Sequence, residues 1–125
     1  MNQTLSERLE AIEAGYEFCL AYAAQGRADD AGSQAREMLG RMYAALDGIA
    51  PLAEAALARG DSPHAASTRP FFEALQRDAA VARGAIGLVL DRKAISSMLV
   101  DNLNASIHVR ALLTDLFLID QAQKR

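Results

Sequence analysis

The sequence contains no tryptophan, one cysteine and few aromatic residues, which make up 6% of the chain. A single cysteine, Cys19, excludes an internal disulfide and a cysteine-rich metal site. With so few aromatic residues, the core has to be built mainly from Leu, Ile, Val, Met and Ala. No segment alternates apolar and polar residues with β-branched enrichment, so the pattern predicts no strand.

Long apolar runs and basic clusters are also missing. Runs such as AIGLVL at 85–90 are far shorter than the roughly 20 residues that span a bilayer, and MNQTLSERLEAIE at the start lacks the apolar region of a secretory signal. The net charge is −3 with a pI near 5.3, which argues against nucleic-acid binding. We therefore expect a cytoplasmic protein that binds neither membrane nor nucleic acid. The excess of Arg over Lys and the many Ala suggest a bacterial source.

Helical periodicity runs along almost the whole chain. At 125 residues, with 51% apolar and 23% charged residues, the composition is typical of one folded domain. The first helix is predicted to begin with a capping box formed by Thr4 and Glu7. Its apolar residues recur at steps of three and four, and Gly26 is suited to end it.

Three further helical segments follow. In the second, Gly48 and Pro51 predict either a kinked helix or two abutting helices. The third is expected to carry Pro70 in its first turn, and a short connection near 91–93 leads to the last. Four amphipathic segments with short loops predict an all-α fold. The specific expectation is an antiparallel four-helix bundle with a kinked second helix, a single domain over residues 1–125.

Polar side chains crowd the start of the last predicted helix. Asn102 falls in the register of its apolar face, which predicts a buried amide with an internal hydrogen-bond partner. Asp101, Asn104 and His108 follow an adjoining line, where His108 would exchange protons. One interpretation makes these four residues a ligand-binding site. The other makes them a solvated face beside one buried Asn that sets the helix register.

No residue pattern names a reaction. A phosphotransfer role for His108 would need a neighbouring cation, but Arg110 lies about 200° around the helix. Neither histidine follows a Glu by three residues, as a di-iron bundle requires, and Cys19 lies in an apolar stripe. The sequence therefore favours a protein without catalytic residues, metal or cofactor. An enzyme using His108 with Asp101 or Asp115 is the least favoured alternative.

Two segments are apolar on more than one face, YEFCLAY at 16–22 and LLTDLFLID at 112–120. Such an excess predicts a subunit or partner interface, or else burial on all sides within the chain. The interface interpretation selects five residues: Tyr16, Phe18, Tyr22, Leu113 and Phe117.

The predicted function is that of a small cytoplasmic, non-catalytic helical protein that binds another protein as an accessory factor, assembly factor or adaptor. A homodimer through the first and last helices is expected. The alternative is a ligand-binding or sensory bundle with a pocket near Asn102 and His108. A helical fold by itself does not choose between them.

Overall fold

The computed structural model describes residues 4–57 and 62–123, which form six α-helices and no strand. The all-α prediction is therefore confirmed for these residues. In chain order the helices are α1 Leu5–Ala23, α2 Ala35–Leu46, α3 Ile49–Leu57, α4 Ala65–Leu90, α5 Ser97–Ala105 and α6 His108–Gln123.

Helix α1 begins as predicted. The Thr4 hydroxyl accepts the Glu7 N–H at 3.1 Å, and the Glu7 carboxylate accepts the Thr4 N–H at 2.9 Å. These two bonds satisfy backbone donors that the first helical turn leaves free. After α1 ends, Gly26 has a φ of +67°, a conformation that glycine adopts without steric cost.

The predicted second helix consists of two abutting helices, α2 and α3. Asp47 and Gly48 separate them, and Gly48 has a φ of +69°. Pro51 is the third residue of α3, where its missing N–H removes no helical hydrogen bond. The Arg8 guanidinium of α1 donates to the Asp47 carbonyl, so this break is tied to the neighbouring helix.

The prediction of one continuous last helix is wrong, because the chain breaks into α5 and α6 at residues 106–107. Ile107 has a φ of +61° although it is β-branched. Its N–H donates to the Asn104 carbonyl at 3.1 Å, and its own carbonyl accepts the Ala111 N–H at 2.8 Å. The Ile107 N–H therefore bonds the end of α5, and the Ile107 carbonyl accepts a hydrogen bond from the first turn of α6. No Gly or Pro marks the position.

The helices enclose one core. Helix α1 packs against α2 and α5, while α4 packs against α2, α3 and α6. The buried side chains are mostly Leu, Ile, Val, Met and Ala, as the composition predicts. Among the described helices, none combines the length and apolarity needed to cross a bilayer.

A buried polar junction joins the end of α1 to the start of α5. The Tyr22 hydroxyl lies 2.6 Å from the Ile95 carbonyl oxygen and 3.0 Å from that of Asp29. The Ser97 hydroxyl donates to the Tyr22 carbonyl at 2.7 Å and accepts the Arg27 N–H at 2.9 Å. Backbone groups exposed by the ends of α1 and α5 are thereby satisfied inside the protein.

Side chains also hold the turn between α4 and α5. The Arg36 guanidinium of α2 donates to the carbonyls of Leu90 at 2.9 Å and Arg92 at 2.8 Å. It also pairs with Asp30 at 3.3 Å, and the Asp30 carboxylate accepts the Ile95 N–H at 2.9 Å. These bonds lower the pKa of Asp30, chiefly through the Ile95 N–H.

We predict that Gly15→Ala destabilises the protein by about 1–3 kcal/mol. Gly15 is buried on α1, and an added Cβ would overlap Cγ and Sδ of Met42, which is itself fully buried on α2. Gly40→Ala is the matched control, because a Cβ there meets no atom within 4 Å. It should stabilise α2 by up to about 1 kcal/mol. Chemical denaturation checks both, and equal effects at the two sites would contradict this close packing.

We predict that Ile107→Gly stabilises the protein by about 0.5–1 kcal/mol. Relief of the left-handed conformation, about 1–2 kcal/mol, exceeds the extra backbone entropy that glycine loses on folding. Ile107 is 56% exposed, so little apolar burial is lost. The reciprocal variant Gly48→Ala should destabilise by about 1 kcal/mol. A loss of stability in Ile107→Gly, measured by thermal unfolding, would show that side-chain contacts dominate at this turn.

Candidate functional site

Asn102 does not lie in the core, and the prediction of a buried Asn is wrong. Its side chain is exposed, and the buried residues of α5 are Ser97, Val100 and Leu103. Met98, one helical turn before Asn102, is likewise exposed, at 74%. The error has one cause, because the break at Ile107 shifts the helical phase between α6 and α5. A register extended back from α6 therefore selects the wrong face of α5.

The structure separates the other predicted site residues from one another. Asp101 is exposed on α5, and His108 is exposed as the first residue of α6. Asn104 is half-buried, and its amide donates to the Cys19 carbonyl at 3.1 Å, which joins α5 to α1. None of the four predicted residues lines the clefts described below. Their ligand-binding role stays a prediction.

Cys19 itself is a buried core residue of α1. Burial raises the pKa of its thiol to about 11. The thiol is therefore protonated at neutral pH, which is typical of a structural cysteine.

Two of the five predicted interface residues are core residues, which corrects the prediction for them. Tyr22 is 1% exposed and Leu113 is 3% exposed, because contacts within the chain already cover both side chains. Tyr16 and Phe18 are half-buried, and Phe18 stacks on Tyr22 with ring centroids 5.7 Å apart. Phe117 alone of the five remains exposed.

A pair of acidic side chains joins α4 to α6. Oδ2 of Asp115 is buried, and the described residues offer it no hydrogen-bond donor other than the Asp78 carboxyl group. Burial, together with the adjacent Asp78 carboxyl group, raises the pKa of Asp115 to about 7. Within residues 4–57 and 62–123, no arginine or lysine pairs with either carboxylate. A proton shared between the two carboxyl groups can compensate this pair, and so can a cation when both groups are ionised.

Apolar residues surround the acidic pair on both helices. Residues three or four positions apart lie on the same face of a helix. On α4, such steps lead from Asp78 to Val81, and then through Ala85 to Leu88. On α6 they lead from Asp115 forward to Leu118 and back to Ala111, and Ile107 lies beside them in a cleft that it shares with Asp115. Val81, Leu88, Ile107 and Leu118 are between 42% and 67% exposed. We call the surface formed by these four residues around Asp78 and Asp115 the α4–α6 face.

An apolar cleft of about 380 Å³ extends this face at one end. It lies where the start of α4 meets the ends of α3 and α6. Its walls include two aromatic rings packed edge to face with centroids 5.3 Å apart. The lining residues are Leu57, Thr68, Phe71, Phe72, Leu118, Ile119 and Ala122.

A second cleft, of about 440 Å³, lies between the α2–α3 break and α4. The Arg83 guanidinium covers the Tyr43 ring at 3.9 Å from its centroid and donates to the Tyr43 carbonyl at 3.2 Å. Asp47 and Gln76 also line this cleft. It therefore presents groups of both charges beside an aromatic ring.

Function has to be inferred from these surfaces and polar groups. No protein-family model, curated protein or solved structure matched the chain. The α4–α6 face was missed from the sequence, where Asp115 alone was considered. The available signal was the apolar pair Val81 and Leu88, which lies seven residues apart on α4 outside its core stripe.

We predict that Asp115→Asn raises stability at pH 8 by about 1 kcal/mol, a value reduced for solvent screening of a partly exposed pair. The ordinary pKa of this carboxyl group is 3.8, and in the folded protein it is about 7. Between these values the folded state keeps a proton that the unfolded state has lost. Wild-type stability therefore falls as pH rises through this window, and the amide removes that loss.

Thermal unfolding from pH 4.5 to pH 8 measures this effect. Asp101→Asn, an exposed residue on α5, makes the same charge change away from the pair and should leave the pH dependence unaltered. Parallel wild-type and Asp115→Asn curves would contradict a raised pKa for Asp115.

Proposed function

We propose that this chain is a small, non-catalytic helical protein of the bacterial cytoplasm that binds another protein as an accessory factor or adaptor. One observation supports the proposal above all. Four large apolar side chains are exposed around the acidic pair on the α4–α6 face. Scattered exposed hydrophobic residues are ordinary, whereas a grouped apolar surface is typical of interaction sites.

We also propose that the six helices act as four antiparallel segments, α1, α2–α3, α4 and α5–α6. Arg36 at the start of α2 bonds the end of α4 at Leu90. Arg69 at the start of α4 pairs with Glu54 in α3 at 2.8 Å. Both contacts fit α2–α3 running antiparallel to α4. In such a bundle the two flanks of α6 border different neighbours, α4 on one side and α1 on the other.

The homodimer is proposed on the flank of α6 that borders α1. Phe117 lies two residues after Asp115, which is about 200° around the helix, so it is outside the α4–α6 face. It is 39% exposed, and α1 packs against α6. Leu20 adds an exposed apolar side chain on α1. With Tyr16 and Phe18 partly accessible, these residues supply the apolar centre that a subunit interface requires.

We predict that Phe117→Asp weakens dimerisation at least about tenfold, because it places a charge in the apolar centre of the interface. Sedimentation velocity over a micromolar concentration series measures the mass. Leu88→Asp is the matched control, since Leu88 is exposed on α4 and should leave the dimer intact. A wild-type protein that stays monomeric over the whole series would remove the homodimer from the proposal.

A ligand-binding bundle is the second candidate. The cleft beside Arg83 and Tyr43 supports it, because its volume of about 440 Å³ falls within the usual range for small-molecule sites. The pocket would then lie at the α2–α3 break and not near Asn102 and His108. Native mass spectrometry of the protein purified from its own host distinguishes the candidates. A retained small molecule favours ligand binding, and a stoichiometric protein partner favours the adaptor.

A further inference from the structure

The centre of the α4–α6 face lacks a cation. Asp78 and Asp115 meet between α4 and α6, where they can share one proton, and Oδ2 of Asp115 is buried with no other hydrogen-bond donor among the described residues. A buried acceptor left without a partner costs free energy. Arg77 is exposed, and Arg110 is exposed where it lines a cleft with Asp115, yet neither forms an ion pair with the two carboxyl groups. When both carboxyl groups are ionised, a cation brought by another molecule can compensate them.

We propose that the α4–α6 face binds an amphipathic helix of a partner protein, and that an arginine in the middle of that helix's apolar side pairs with Asp78 and Asp115. This inference rests on the proposed function of protein binding. It adds the surface used and the chemistry of the partner.

The dimensions of the face fit a helix. From Phe71 to Leu88 the face follows α4 for about 25 Å, or roughly five helical turns. The groove between two packed helices accepts the side-chain ridge of a third. Apolar residues lie on both sides of the acidic pair, with Leu118 towards one end and Val81 and Leu88 towards the other. The apolar cleft at Phe71 can receive one large side chain as an anchor.

The charge pattern favours arginine at the centre. A guanidinium group has a planar set of donors that can bond two carboxylates at once, whereas an ammonium group is a compact point charge. An arriving guanidinium supplies the donor that Oδ2 of Asp115 lacks. It also allows both carboxylates to be ionised side by side, since the cation offsets their mutual repulsion.

A second copy of this chain fits the face poorly. A two-fold dimer brings the same patch of both subunits together, so Asp78 and Asp115 would approach their own equivalents. Four carboxyl groups would then lie close together, which is unfavourable unless protons or cations compensate their mutual repulsion. Phe117 and Leu20, where the homodimer is proposed, lie on other surfaces. The face is therefore assigned to a different protein.

The test uses a displayed library of 18-residue helical peptides and the full-length protein. Positions on one side of each peptide vary among apolar residues, and one central position on that side varies among all residues. Selection on the wild-type protein should enrich arginine at the central position. Selection on the double variant Asp78→Asn and Asp115→Asn should not. Circular dichroism confirms that the variant is folded.

Affinities of the best synthetic peptide then separate charge from apolar contact. Replacing its arginine by citrulline, which keeps the shape and removes the charge, should weaken binding to wild type at least about tenfold. The same replacement should have little effect on binding to the double variant. Leu118→Asp should also weaken binding at least about tenfold. Phe117→Asp is the control and should change affinity less than about twofold.

Enrichment without a basic central residue would overturn the inference, as would a citrulline effect that is equal in wild type and the double variant. Failure to select any peptide would overturn it as well. These results do not bear on the dimer, which sedimentation measures separately, or on a protein partner retained from the host. The proposed function can therefore stand when this inference fails. The proposed function itself fails only when the dimer and the retained partner are both absent.

Discussion

The junction between the end of α1 and the start of α5 holds the rest of the molecule in place. Tyr22 and Ser97 exchange hydrogen bonds there with backbone groups inside the protein. Asp30 and Arg36 extend the junction to the turn after α4. The bonds of Tyr22 and Ser97 are buried, so each is stronger than it would be in water and costly to lose. The bonds of Arg36 and Asp30 are more exposed and add connections between α2, the end of α4 and the segment before α5.

Local signals predicted the parts of the fold that depend on neighbouring residues. The capping box joins Thr4 to Glu7, which is only three positions away, so the sequence alone contains the interaction. Gly48 similarly marked the break between α2 and α3, because glycine tolerates positive φ. Ile107 has the same backbone conformation without any such mark. The surrounding hydrogen bonds of α5 and α6 impose it, and those depend on tertiary packing.

The candidate site could not be predicted because its parts come from different helices. Asp78 and Asp115 are adjacent only after α4 and α6 have packed, and periodicity within one helix does not reveal a neighbour. The sequence shows that the first and last helices carry excess apolar residues, but it does not show which of these side chains the chain itself covers. The loop after α1 and the segment before α5 cover Tyr22, whose hydroxyl lies within hydrogen-bond distance of the Asp29 and Ile95 carbonyls. Phe117 has no such cover and stays at the surface.

The two carboxyl groups would also make binding to the α4–α6 face selective. An apolar helix without a cation would bury the acidic pair with at most a shared proton as compensation, and the desolvation of an unpaired charge costs several kcal/mol. Apolar segments of unfolded chains that carry no cation would therefore gain little free energy by binding there. If the face binds the proposed partner, the acidic pair would keep this exposed apolar surface available for one kind of helix while limiting indiscriminate association.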